Sequence, residues 1–196
     1  MELLKGAKGF LLFEFFALII IRSETWLIKF FESLNMVDPK TLGIYGIVFG
    51  LCSGLSIVSN SIQSVLLPKI KKDASFLHDR GLRILWFYTF VVGILYYLLV
   101  NMFLLFYKKD VFSISIICSA IVIIGICASF IASLLRLRIF NASEEQKLNA
   151  IYIAQLILTF ILGGIFIMLW GAIGAAISFT FVRVSGLLLM INIVRN

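Results

Sequence analysis

Histidine, cysteine, proline and charge are all scarce in this 196-residue chain, and each shortage removes a class of function. The single histidine, His78, lies in a loop reading His78-Asp79-Arg80-Gly81, and Cys52, Cys118 and Cys127 each fall inside an apolar run with no Cys-x-x-Cys spacing. Neither a zinc site nor a disulfide framework follows from such a set, so no metal and no cofactor are expected, and the cysteines read as small packing residues. Membrane enzymes that handle lipid pyrophosphates need clustered carboxylates for a metal, or a histidine beside a carboxylate. The ten acidic residues form no such cluster, and no glycine loop is built to cradle phosphate. No catalytic residue is expected, and the chain does not read as an enzyme.

The shortage of charge is the most informative. Only 14% of the residues are charged and 62% are apolar, against about 25% and 45–50% in globular domains, and the mean hydropathy is +1.10. One core of this size cannot hide such a surplus, so it must face lipid. Seventeen Lys and Arg outnumber ten Asp and Glu. A nucleic-acid-binding protein spreads basic residues over a polar surface, whereas here they sit in short clusters between apolar runs, so nucleic acid is not an expected partner.

A bilayer-crossing helix needs about 20 mostly apolar residues, and six runs qualify: 9–31, 42–67, 82–107, 112–135, 149–170 and 172–194. The first is too long for a signal-peptide core and reads as a true span. The two prolines stand at joints: Asp38-Pro39 marks a turn and Pro68 opens a polar loop running to Gly81. Trp170-Gly171 reverses the chain without any polar loop. The expected fold is all-α, one bundle of six transmembrane helices over 1–196 with both termini on one side. Cytoplasmic loops are enriched in Lys and Arg. Eleven basic residues lie on the side of the termini and three, Lys40, Lys108 and Lys109, on the other, which places both termini in the cytoplasm.

Three basic residues remain inside spans: Arg22, Lys29 and Arg183. A mid-span arginine costs roughly 2.5–3.5 kcal/mol on insertion scales and is paired, turned to a bundle interior or set in a wet cavity. At 100° per residue, Glu14, Arg22 and Lys29 share one flank of the first span, and Glu24 lies away from Arg22. Arg183 has no acidic neighbour on its own helix; it either pairs with Glu14 or Glu24 across the bundle or serves an anionic substrate, and the two are not exclusive. In span two, Ser56, Asn60 and Gln63 form a polar stripe at i, i+4 and i+7 that either meets a neighbouring helix or lines a cavity. Gly46, Gly50 and Gly54 form a small-residue ladder expected to pack on another helix. Tyr96 and Tyr97 in span three suit packing or sugar stacking. Span four carries Ser129, Ser133 and Arg136 at i, i+4 and i+7, with Arg136 and Arg138 read as orientation signals or contacts to lipid phosphate.

Three segments resemble a known family. The run LGIYGIVFGL at 42–51 is similar to a helix start in polysaccharide and O-antigen flippases of the multidrug/oligosaccharidyl-lipid/polysaccharide exporter superfamily, and SVLLPKIKK at 64–72 resembles that family's exit into a basic cytoplasmic loop. The stretch RLRIFNASEEQKLNAIYI at 136–153, followed after a long apolar run by WGAIGAAISFTF at 170–181, resembles the family's small basic loop, penultimate helix and closing hairpin. Gly171 and Gly174 permit a tight reversal, and Ala175, Ala176 and Ser178 allow close packing. The resemblance implies one half of a two-bundle transporter that works by alternating access around a central cavity. The other, N-terminal six-helix bundle would be a missing or separate partner.

It further implies residence in a bacterial cytoplasmic membrane, membrane lipids as neighbours and a lipid-linked oligosaccharide, as in lipopolysaccharide and polysaccharide biosynthesis, as substrate. Arg22, Lys29 and Arg183 would attract the phosphate-bearing head group, Glu14 and Glu24 would couple an ion, and Ser56, Asn60 and Gln63 would meet sugar hydroxyls. The alternatives are a multidrug exporter of the same superfamily, the six-helix binding subunit of a vitamin importer, and a non-transporting scaffold of a glycan assembly complex.

Overall fold

The computed structural model describes residues 2–72, 79–107, 112–141 and 145–195, leaving aside the side chains of 2–14, 58–60, 62–64, 66–72, 79–82, 107, 112, 137, 138, 140, 141, 145 and 195. These residues form five helices: α1 (Glu2–Ser33), α2 (Lys40–Lys72), α3 (Asp79–Tyr107), α4 (Phe112–Asn141) and α5 (Glu145–Arg195). The chain is an all-helical, multi-pass membrane protein. Four stretches are long and apolar enough to cross a bilayer: Lys40–Ile57, Arg83–Phe106, Ser113–Arg136 and Gln146–Val194. In the described part of α1, Arg22, Glu24, Lys29 and Glu32 interrupt the apolar run, so the first expected span is a helix but not one of these stretches.

The last two expected spans, 149–170 and 172–194, are two arms of α5. An unbroken 51-residue helix would be more than twice as long as a hydrocarbon core of about 30 Å. The helix instead breaks at Gly171, whose φ of 54° suits glycine. Beyond the break the chain doubles back: a Cβ on Gly174 would overlap the carbonyl oxygen of Phe166, Gly163 lies against the Ser178 hydroxyl, and Gln155 Nε2 donates to the Val182 carbonyl at 3.0 Å.

The α1–α2 joint follows from its sequence. Asn35 takes a left-handed φ of 56°, and two bonds close the end of α1, from Met36 N to Phe31 O and from Asn35 N to Glu32 O, both 3.0 Å; this is a Schellman cap with asparagine in place of glycine. Asp38 then caps α2, its Oδ1 accepting from Lys40 N at 2.7 Å, with Pro39 where a missing N–H does no harm. Helix α2 continues through Pro68 to Lys72, so the expected loop from Pro68 to Gly81 is shorter than its sequence suggested.

α4 is the central helix and packs on α2, α3 and α5. Over Ser113–Arg136, 56% of it is buried, against 22% of the Arg83–Phe106 stretch of α3. Ile84, Phe87, Phe90 and Phe106 on α3 are all more than 60% exposed, as lipid-facing side chains are. One apolar core gathers Ile20, Leu85, Leu135, Leu148 and Met190, near the chain ends. A second gathers Ile28, Tyr45, Leu104, Cys118 and Ile167, near the α1–α2 joint and the α5 break. The three cysteines are free thiols.

Candidate functional site: an arginine-bearing cavity

Between the two cores a cavity of about 270 Å³ is walled by α1, α2, α4 and both arms of α5. Its polar side chains come from three helices. Ser53 and Ser56 stand on α2, Ser129, Ser133 and Arg136 on α4, and Tyr152, Gln155 and Arg183 on α5. The serine hydroxyls donate to carbonyls of their own helix, Ser56 to Ser53, Ser129 to Gly125 and Ser133 to Phe130, at 2.5–2.9 Å. That arrangement satisfies each donor in lipid and leaves oxygen lone pairs toward the cavity.

Arg183 reaches the cavity from the second arm of α5. Its guanidinium carbon sits 5.3 Å from the centroid of the Phe179 ring, a cation–π contact that holds the head group in place. Phe179 meets Phe49 edge-on at 5.4 Å, and Phe49 stacks on Tyr45 at 5.6 Å. Arg136 approaches from α4, with Nη1 donating to the Tyr152 hydroxyl at 3.5 Å. Gln155 is steadied by its bond to Val182, and a side chain at Gly186 would overlap the Gln155 amide. Two arginines thus line one small cavity together with several hydroxyl and amide side chains, in a low-dielectric setting where charge is felt strongly.

The expected site residues separate. Of the three intramembrane cations, only Arg183 lines the cavity; Arg22 and Lys29 are exposed on the outer flank of α1. Glu24, about 200° around the helix from Arg22, is 1% exposed and lies within the field of Arg183. Arg183 lines the cavity, and no ion pair between it and Glu24 occurs among the described residues. The side chain of Glu14 lies outside the described residues, as do those of Asn60 and Gln63, so of the α2 stripe only Ser56 is placed in the cavity.

The glycine ladder differs from the expectation. Among the described residues, no atom lies within 4 Å of where a Cβ on Gly46 or Gly50 would be, so neither packs on another described helix. Gly54 alone is in contact, since its missing Cβ lets the Tyr96 hydroxyl cross to donate to the Leu51 carbonyl at 2.8 Å. Tyr96 therefore packs helices. Arg136, read from sequence as an orientation signal or a contact to lipid phosphate, also lines the cavity, and Tyr152 and Gln155 were not singled out. The signal was present: Ser129, Ser133 and Arg136 form one stripe, and Tyr152, Gln155 and Thr159 repeat at i, i+3 and i+7 in an otherwise apolar arm.

No group of three His, Cys, Asp or Glu able to hold a metal occurs among the described residues. No known family model, curated protein or solved structure matches the chain, so the cavity carries the functional reading.

Proposed function

We propose that this chain is one bundle of a membrane transporter that moves a lipid-linked oligosaccharide across the cytoplasmic membrane of a bacterium by alternating access, with both termini in the cytoplasm. The observation that carries the reading is the presence of both Arg183 and Arg136 in the lining of one cavity within an otherwise apolar bundle. Cations kept inside a membrane protein mark an anion's path, and two guanidinium forks suit phosphate oxygens. At about 270 Å³ the space falls below the roughly 300–1,000 Å³ of drug-sized pockets. It seats a charged diphosphate group with hydroxyls around it rather than a chain of sugars, which would extend out of the bundle.

Arg22 and Lys29 support a second bundle. They lie exposed on α1, where facing hydrocarbon is unfavourable, and a separate six-helix bundle closing the other side of a shared pathway would cover them. The test is glycan export in cells that depend on this chain and its partner bundle. Losing a hydrogen bond to a charged group costs about 1.5–3 kcal/mol, or about 10- to 100-fold in rate. Arg183→Ala and Arg136→Ala are each expected to reduce export by that order at normal membrane levels. Undiminished export in both variants overturns the reading.

The field of Arg183 at Glu24 favours one second reading, a non-transporting scaffold whose charges fix helix pairing. Exchanging the two charges would then restore stability lost in each single variant, and export would not depend on either residue.

A further inference from the structure

The charge on the cavity wall is all of one sign. Arg136 and Arg183 line it with four serines, Tyr152 and Gln155, and no carboxylate is among the described residues that do so. Its neutral groups are partly committed already. The hydroxyls of Ser53, Ser56, Ser129 and Ser133 donate to carbonyls of their own helices, and Gln155 Nε2 donates to the Val182 carbonyl. A diphosphate in water has two kinds of counter-charge open to it, a divalent metal ion or the cations of a protein. These walls suit the two unequally. Mg²⁺ demands a near-ideal octahedron of oxygens, gives up its waters reluctantly and is usually seated in proteins by one or two carboxylates beside the phosphates. Where phosphate oxygens fill two of its positions and no carboxylate is offered, four waters stay on the ion. At about 30 Å³ each they take about 120 Å³, nearly half of a cavity of about 270 Å³. The ion would also share a low-dielectric space with two guanidinium groups, where like charges repel strongly. Guanidinium forks, by contrast, meet phosphate oxygens directly and two at a time.

We propose that the cavity takes its diphosphate bare, stripped of divalent metal, with Arg136 and Arg183 standing where the ion stood. The inference rests on the reading of the cavity as the seat of a diphosphate head group. Mg²⁺ stays in water when the head group enters, and no covalent bond forms or breaks. The metal therefore competes with the protein for the anion and does not travel with it. The two arginines then act as a filter on ionic form: the uncomplexed diphosphate, with its full negative charge, binds, and the magnesium complex is refused.

The probe is inorganic pyrophosphate, and its binding to the full chain in phosphatidylcholine nanodiscs is measured by titration calorimetry. One series is run in EDTA. The other is run at a Mg²⁺ concentration, set by a titration without protein, that leaves about one tenth of the probe uncomplexed. Apparent affinity falls with the competent fraction, so Mg²⁺ is expected to weaken binding about tenfold. Sulfate, a far weaker ligand for Mg²⁺, is the control and is expected to bind equally in both series. Arg136→Gln and Arg183→Gln are each expected to weaken pyrophosphate binding in EDTA by about 10- to 100-fold. Pyrophosphate affinity that Mg²⁺ leaves unchanged or raises overturns the inference while the diphosphate seat stands. A loss that sulfate shares also overturns it, because the metal is then acting on the protein and not on the probe. Absence of pyrophosphate binding in EDTA, or binding that both arginine variants leave intact, overturns the diphosphate seat itself and this inference with it.

Discussion

Two hollows lie on opposite sides of α4; they share α4 and α5 and have opposite chemistry. On one side Ser129, Ser133 and Arg136 face the cavity of about 270 Å³ with Arg183; on the other Ile124, Cys127 and Ile131 line a groove of about 540 Å³ shared with Gly93 on α3 and Leu187 on α5. The groove is twice as large and carries no charged side chain. In a bilayer that ranking by size misleads, because lipid chains fill apolar space without selecting for anything. A small space with two arginines is one that hydrocarbon cannot fill favourably. In this bundle it is charge, not volume, that locates the work.

The comparison can be broken outright at α5, whose second arm supplies Arg183 to one side and Val184, Leu187 and Leu188 to the other. Gly174→Leu would drive a side chain into the Phe166 carbonyl and prise the two arms apart. The expected destabilisation exceeds about 4 kcal/mol, seen as loss of folded protein on size exclusion after extraction. Normal yield and melting would show that the arms are not held as described.

A gentler test separates the two sides. Ser129→Leu places an apolar branch in the cavity and removes a lone pair, and is expected to lower glycan export by about 2- to 10-fold, the range of one neutral hydrogen bond. Cys127→Leu, two residues away on the groove side, is expected to leave export within about twofold, because lipid is displaced there and not a ligand. Equal losses in the two variants would erase the distinction between cavity and groove. The smallest effect is expected at Gly50, which faces open space. Gly50→Ala gains up to about 0.5–1 kcal/mol of helix stability, read as a slight rise in Tm of the isolated chain. A fall would reveal a neighbour pressed against that face.

Local chemistry made much of the fold legible in the sequence. Apolar runs of helical length marked the segments, Asp38-Pro39 the turn before α2, and glycine after Trp170 the reversal in α5; that Asp38 also caps α2 is seen only in the structure. Arg183 was legible because it stands about eleven residues from any polar end, where only function or pairing keeps a charge. The place of Arg136 near a helix end satisfies the orientation rule and hides its second position, in the cavity lining, which depends on the packing of α5 against α4. Gly46 and Gly50 show the complementary failure: small-residue spacing says that a close approach is allowed, not that a partner is in place. Arg22 faces outward although its depth resembles that of Arg183, because helix rotation is fixed by Ile20, Glu24 and Ile28 on the opposite side. Depth is written in the chain; azimuth is set by neighbours.

The reversal at Gly171 has a mechanical consequence. With a single glycine as the joint, with Gln155 tied to Val182 across the arms and the Gly174 backbone pressed on Phe166, α5 has no slack in which its halves could slide. It behaves as a folded lever whose two limbs travel together, carrying Tyr152, Gln155 and Arg183 as a fixed triangle. In the proposed transport cycle, a stroke that widens or shuts the cavity would accordingly be made by α1, α2 or α4 moving against that lever.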